Sequence, residues 1–203
     1  LFSNNAAAAV RLPSGTKVGD VFLEYEEKDI WYVDAGGDWE HKFSPENAVK
    51  LIAVNRTVNW RPQQLLTQAV LGSPFGQARD TSDNKAGEHV LRGVWTTKPA
   101  LEHTLEFGLE GAYNYREVDR QRQLGAIGGP FVVADVPIAS TKVEEERVEA
   151  SVTDVWRVSP QLTLEGALNY EVSTISQTGD ANQERDFTYA KPRLVATWVP
   201  GKE

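Results

Sequence analysis

The sequence contains no cysteine and no methionine, and its acidic residues outnumber its basic ones. Without cysteine the chain has no disulfide framework, no thiol nucleophile and no cysteine-based zinc site. The formal net charge of -8 argues against nucleic acid as a partner, because binding to phosphates requires a basic surface. The missing Met at position 1 indicates either a processed precursor or a sequence that begins within a longer gene product.

Long apolar runs are also missing. No stretch approaches the ~18–20 consecutive apolar residues of a spanning helix, and the mean hydropathy is only -0.42. Membrane-spanning strands stay possible, because their apolar and polar residues alternate and average to an ordinary hydropathy. A length of 203 residues allows one sizeable domain or two small ones, so length alone decides little.

Two segments alternate strictly between apolar and polar side chains, at residues 105–116 and 162–173. A period of two predicts β-strands with one apolar face and one charged face. The residues predicted on the apolar face are Leu105, Phe107, Leu109, Leu164 and Leu168. Those predicted on the polar face are Glu106, Glu110, Glu165 and Asn169.

Proline-containing tight turns follow tryptophan at several places. Residues 94–101 and 155–162 share the pattern Val-Trp-x-x-x-Pro-x-Leu, and proline marks a chain reversal because it pre-sets φ and cannot donate to a ladder. The pattern predicts strands at about 18–26, 30–43, 48–60, 88–98, 102–118, 145–158, 161–175 and 186–199. Tight turns are predicted at 44–47, 99–101, 159–160 and 200–203, and long polar loops at 61–87, 119–144 and 176–185.

Short turns that alternate with long loops are typical of outer-membrane barrels, which place short turns on the periplasmic side. Four tryptophans would then lie near the periplasmic rim, where an indole buries its ring and its N–H meets the headgroups. They are Trp39, Trp95, Trp156 and Trp198. The alternative is that these rings fill the core of a sandwich.

Several hairpin segments resemble those of TonB-dependent receptor barrels. They are residues 36–40 leading to 51–53, 88–93 with 103–108, 143–150 and 187–193. The resemblance implies an all-β, antiparallel meander of about eight strands from a transmembrane β-barrel, incompletely closed. Residues 1–203 would form one partial barrel domain without a plug.

The same resemblance implies a role in uptake of a scarce nutrient, such as a siderophore, a vitamin or an oligosaccharide, at the bacterial outer membrane. The implied partners are outer-membrane lipid, the nutrient, and an energy-transducing inner-membrane complex reached through the plug. No enzyme activity and no cofactor are implied. Such receptors are far longer, with a plug and a 22-stranded barrel, and Lys202-Glu203 replaces the terminal aromatic strand that they usually carry.

Ligand contacts are predicted in the long loops, at Gln77, Arg79, Arg120 and Phe131. Catalytic and metal-binding sites are not expected from the sequence. The histidines His41, His89 and His103 lack metal-ligand spacing, and Ser151 and Ser173 lack a nucleophile elbow. The carboxylate pairs Glu106/Glu110 and Glu165/Glu171 are expected to face a polar lumen rather than to act as glycosidase acids, and Asp80, Asp83 and Asp180 lack calcium-loop spacing.

Two other architectures stay open. A self-contained eight-stranded outer-membrane barrel would need a ladder between its first and last strands. A soluble β-sandwich binding module would need its apolar strand faces buried against each other.

Overall fold

The computed structural model describes residues 2–70 and 73–200, and within them the chain forms strands and no helix. The strands are β1 Phe2–Arg11, β2 Lys17–Ser44, β3 Asn47–Val70, β4 Ser73–Ala100, β5 His103–Gly125, β6 Phe131–Ala134, β7 Ser140–Arg157, β8 Leu162–Gly179 and β9 Gln183–Trp198. Across the described part of the chain, no helix is long and apolar enough to cross a membrane.

All strands belong to one antiparallel sheet in the order β1-β2-β3-β4-β5-β7-β8-β9, and short β6 adds to the edge of β5 beyond the end of β7. Each long strand therefore pairs with its neighbours in sequence, which confirms the predicted meander. No ladder joins β9 to β1 or β2 in the described residues, so the sheet is open, as predicted.

The division of the N-terminal part into strands was wrong. Residues 18–26 and 30–43 form the single strand β2, interrupted by a bulge where Lys28 pairs with Arg61 and Trp31 with Asn59. Two residues of β2 thus oppose one of β3, and Asp29 takes a positive φ of 52°. A bulge admits an extra residue without ending the strand. The structure also adds β1 and β6, which the sequence pattern did not predict.

The predicted loop at 61–87 was also wrong, because β3 and β4 continue through it as a hairpin with Gln64 opposite Asp80. Backbone pairing needs no apolar alternation where both faces meet water, so polar composition hid these strands. The loop at 119–144 shrinks to the segments around β6, and that at 176–185 to residues 180–182. Residues 71–72, within the first loop, and 201–203, in the last predicted turn, lie outside the described part.

The three tight turns at 44–47, 99–101 and 159–160 are confirmed, since they join β2 to β3, β4 to β5 and β7 to β8. All three lie at one end of the sheet, here called the turn end. The opposite end, the loop end, carries the β1–β2, β3–β4, β5–β7 and β8–β9 connections.

The sheet has no hydrophobic core of its own. Among the described residues Ala112 is the one apolar residue classed as buried, and no large side chain is fully buried. A soluble domain of this size buries roughly two thirds of the surface that its unfolded chain exposes. A single layer with large exposed apolar side chains instead needs an external apolar medium or partner.

Candidate functional site

The strand register sorts the side chains into two faces. One row of directly paired residues crosses the sheet from β2 to β9: Trp39, Leu51, Gly93, Leu109, Ala150, Tyr170 and Ala190. Residues two apart along each strand share this apolar face. It includes the predicted Leu105, Phe107, Leu109, Leu164 and Leu168, whereas Glu106, Glu110, Glu165 and Asn169 lie on the opposite, polar face. Both predictions are confirmed.

The polar face is the concave one. The Glu171 side chain is only 9% exposed and that of Glu110 19%, whereas Leu109 on the other face is 61% exposed. A hollow on the polar face is lined by Arg92, Glu149, Ser151, Asn169, Lys191 and Arg193. The sheet therefore curves around its charged side chains and presents its apolar side chains outward.

A ladder of alternating charges crosses the concave face from β4 to β9. Arg147 donates to Glu110 at 2.8 Å and lies 3.8 Å from Glu171, while Arg92 approaches Glu110 at 3.9 Å. Lys191 donates to Glu171 at 2.6 Å and lies 3.7 Å from Glu149. The cations and carboxylates offset each other, so this wall presents balanced charge rather than a field of one sign.

The four tryptophans Trp39, Trp95, Trp156 and Trp198 all lie on the apolar face near the turn end, as predicted. Three have aromatic neighbours there: Trp39 stacks on His41 at 5.7 Å between ring centroids, Trp95 on Phe107 and Trp156 on His103, both at 5.4 Å. Indole rings that are 41–69% exposed on the convex face form an aromatic belt, here called the turn-side belt.

The turn-side belt runs obliquely across the hydrogen-bonded rows. Relative to the row of Trp39, Trp95 lies two residues nearer the turn end, Trp156 six and Trp198 eight. These offsets accumulate over two, four and six strand-to-strand steps. At ~3.3 Å per residue and ~4.8 Å between strands, a belt lying in one plane requires a strand tilt of about 42°.

A second aromatic line lies toward the loop end of the same face, with Trp31, His89, Tyr113 and Tyr170. Relative to the same row these residues lie eight, four, four and zero residues nearer the loop end. This loop-side belt therefore slopes in the same direction as the turn-side belt. Eight residues separate Trp31 from Trp39 on β2. With the strand tilted by about 42°, this length separates the two belts by about 20 Å, measured perpendicular to the plane of the belts.

The structure brings together three of the four predicted ligand residues. The Arg79 guanidinium lies 4.2 Å from the centre of the Phe131 ring, and Gln77 on the same strand donates to Thr67 at 3.1 Å. Strand β6 positions Phe131 opposite Gly125 of β5, where a Cβ would meet the Pro130 carbonyl oxygen at 2.9 Å. Arg120 pairs with Ser82 on the other face of the hairpin, so it lies apart from this group.

Charged pairs brace the hairpins beyond the loop-side belt. Arg122 donates to Asp80 at 2.6 and 2.9 Å, and this hydrogen bond raises the pKa of Arg122. Lys85 donates to Glu117 at 3.2 Å, and that bond raises the Lys85 pKa. Both cations keep their charge throughout the physiological range, so these bonds do not titrate there.

The sheet separates the residues that catalysis would need together. Ser151 and Ser173 lie on the polar face, whereas His41, His89 and His103 lie on the apolar face, so no serine–histidine pair forms. His103 instead contacts Asp154 at 2.9 Å. Glu110 and Glu171 belong to the charge ladder, and Asp80 and Asp83 pair with arginines. Within residues 2–70 and 73–200, no three His, Asp or Glu side chains cluster as a metal site requires.

Comparisons with known proteins add little to this geometry. No protein-family model matches the chain, and no curated protein matches it. Among solved structures, the chain is similar to the ferric yersiniabactin uptake receptor FyuA from Yersinia pestis, with a TM-score of 0.35 and 8% identity. The match covers 96% of this chain and 37% of that receptor. At this TM-score the likeness carries no argument about function.

Sequence reasoning missed Trp31 and the ladder residues Arg92, Arg147 and Lys191. Trp31 shares the face of Trp39 by alternation within the predicted strand 30–43, but its level relative to the other strands is given only by the register. The ladder cations lie on predicted strands, where they alternate with residues of the apolar face, so the sequence pattern assigns them to the polar face. Only the strand register shows which carboxylate each cation contacts.

Proposed function

We propose that the chain forms part of the wall of an outer-membrane β-barrel. The observation that carries this proposal is the pair of aromatic belts that slope together across the apolar face. The strand tilt of about 42° that makes them level lies within the ~35–45° range of membrane barrels, whose apolar band is likewise flanked by aromatic girdles. A charged concave face suits the polar interior of such a barrel.

The more specific proposal is a TonB-dependent receptor that takes up a scarce nutrient, with the passive wall contributing no bond-making chemistry. The hairpin resemblance supports this assignment, as do the polar hairpins that extend beyond the loop-side belt. In this proposal Arg79, Phe131 and Gln77 contact the nutrient together, whereas Arg120, on the opposite face of the hairpin, does not share that contact. An energy-transducing inner-membrane partner would act through a plug.

The two alternative architectures lack their defining contacts among the described residues. A closed barrel of these strands alone would need a ladder from β9 to β1 or β2, and none is formed. A sandwich would need a second sheet on the apolar face, but all described strands lie in one sheet. In lipid, unpaired backbone groups along β9 and the turn-end half of β2 cost several kcal/mol each, so we propose that further strands complete the wall.

Site-directed spin labelling tests the proposal directly, because the cysteine-free chain permits single cysteines at chosen positions. The chain would be refolded into phosphatidylcholine vesicles with a nitroxide at one of Leu91, Leu109 or Val148, which lie on the apolar face. Electron paramagnetic resonance then measures collisions with oxygen, which concentrates in lipid, and with a water-soluble nickel chelate. We expect oxygen to dominate at these three positions.

Matched labels at Glu106, Ser151 and Asn169 on the polar face serve as controls, and there the nickel chelate should dominate. The accessibility should alternate with period two between the belts and lose its oxygen maximum outside them. Equal oxygen and nickel access on both faces, or a maximum outside the belts, would contradict the membrane wall.

A further inference from the structure

A hollow opens on the polar face toward the loop end, where β3, β4 and β5 run side by side. Its volume is about 350 Å³, and its polar lining includes Gln64, Asp80, Ser82, Arg120 and Arg122. Arg120 lies seven residues beyond Tyr113 of the loop-side belt along β5. If the wall spans a bilayer, as proposed above, the hollow faces the barrel interior on the side of the long loops.

This hollow carries an excess of one positive charge. Arg122 donates from Nε to Asp80 Oδ1 at 2.6 Å and from Nη2 to Asp80 Oδ2 at 2.9 Å, so these two residues neutralise each other. Arg120 forms no ion pair with any side chain that the structure describes. The two arginines and one carboxylate that line the hollow thus leave a net charge of +1. The charge ladder between the belts, in contrast, is balanced.

Several hydrogen-bond donors in the same hollow are uncommitted. The guanidinium of Arg120 has five N–H groups, and Asp80 does not use the Nη1 group of Arg122. The Gln64 side chain has no hydrogen-bond partner among the described residues, and Ser82 Oγ accepts from Asn84 at 2.8 Å, which leaves its own proton for another acceptor. Arg120, Arg122 and Gln64 are exposed, so a dissolved ligand can reach them.

We propose that this hollow binds the carboxylate group of a small organic acid. Arg120 donates two parallel hydrogen bonds to the carboxylate, the geometry that Arg122 already adopts with Asp80 in the same hollow. Arg122 Nη1 and the Gln64 amide donate to the same group. Pro62 and Val136 provide apolar surface for the carbon atoms of the ligand.

The net charge selects among anions. A monocarboxylate neutralises the charge of +1, whereas a phosphate monoester carries about -1.5 to -2 at pH 7 and leaves excess negative charge beside Asp80. A neutral molecule of the same shape leaves Arg120 without a counter-ion. Within the proposed receptor, and resting on that proposal, the nutrient would be an organic acid rather than a neutral oligosaccharide.

The test is equilibrium dialysis of radiolabelled benzoate against the chain in phosphatidylcholine nanodiscs, with the uptake of empty discs subtracted. We expect Arg120→Gln to weaken benzoate binding by at least about tenfold, the ratio for one charge-assisted hydrogen bond. Asp80→Asn should strengthen it by about fourfold, the effect of one unit charge at ~5 Å in water. Misfolding of the variant cannot produce such a gain.

Arg116→Gln is the matched control, because Arg116 lies on the same strand and face but outside the hollow, 5.8 Å from the centre of the Trp60 ring. It should keep the affinity for benzoate. An equal loss in this control, no loss with Arg120→Gln, or weaker binding with Asp80→Asn would overturn the carboxylate site.

Two competitors test the chemistry of the ligand. Benzamide has the shape of benzoate without its charge, and phenyl phosphate has the same ring with a larger charge, so both should displace benzoate less well than unlabelled benzoate does. Displacement by either as strong as that by benzoate would overturn the selection of a carboxylate. A nitroxide at Leu109 without lipid contact would instead overturn the proposed membrane wall, while benzoate binding that depends on Arg120 would still support the hollow.

Discussion

A depth profile of arginine substitutions along β5 follows from the positions of the two belts. On this strand Tyr113 lies on the loop-side belt, and extrapolation of the turn-side belt meets the strand near Leu105. Leu109 then lies midway between them. With a tilt of about 42°, each two-residue step along β5 moves a side chain about 5 Å along the membrane normal.

The expected costs follow from these depths. Leu109→Arg should lower the free energy of unfolding by about 2–4 kcal/mol, the cost of a charge at the midplane on the lipid side of a barrel. Leu105→Arg should cost only about 0–1 kcal/mol, because it lies near the rim. Its direct partner Asp154 also offers a carboxylate. Phe107→Arg should fall between the two.

Urea-induced unfolding of the chain from phosphatidylcholine vesicles provides the measurement. Glu106→Arg is the control, since it places the same charge between two of the tested positions but on the polar face, where it should be nearly neutral. A flat profile across residues 105, 107 and 109, or a cost for Glu106→Arg equal to that of Leu109→Arg, would refute the assigned faces.

Three further predictions use the same assay or the purified chain. Gly87→Ala should lower the free energy of unfolding by about 1 kcal/mol, because the new Cβ would lie 2.3 Å from Tyr115 Cε1 and displace that ring. The control Gly111→Ala has nothing within 4 Å of its Cβ and should be neutral or stabilising. Equal effects of the two substitutions would exclude the close packing of Gly87 against Tyr115. Arg147→Gln should lower the free energy of unfolding by about 1–3 kcal/mol, because it removes a cation from both Glu110 and Glu171. Substitution of the exposed Arg193 by Gln should lower it by only about 0–1 kcal/mol. A larger effect at Arg193 than at Arg147 would refute the ladder. The isolated chain in detergent should associate through its free edges, and a monomeric band in cross-linking experiments would contradict this.

Periodicity predicted much of the fold because the two faces of the sheet between the belts differ chemically, one being apolar and the other charged. There, apolar and charged residues must alternate, so the faces of β5 and β8 and the three tight turns could be assigned from residues such as Leu109 and Glu110. Beyond the loop-side belt both faces carry polar side chains, so no alternation is imposed. The extensions of β3 and β4 around Gln64 and Asp80 therefore resembled a loop in the sequence.

The candidate site depended on contacts between strands that are distant in sequence. Gln77, Arg79 and Phe131 were predicted from their places in polar loops, but strand β6, four residues long, is what brings Phe131 to Arg79. The bulge at Asp29 was not predicted either, and a single extra residue reverses the faces of everything that follows it on a strand. Local patterns do not encode such a reversal legibly.

In the proposed wall, the slope of the belts defines the membrane plane even though the sheet is open. In the sequence, the four tryptophans of the turn-side belt are merely near turns, at different distances from the ends of their strands: Trp39 is five residues before Ser44, and Trp156 one residue before Arg157. The register converts these unequal distances into a nearly constant stagger, eight residues over six steps. Stagger per strand sets the tilt whatever the number of strands, whereas closure depends on that number. In the proposed wall the tilt therefore follows from these strands alone, whereas the size of the barrel would depend on the strands that pair with its two free edges.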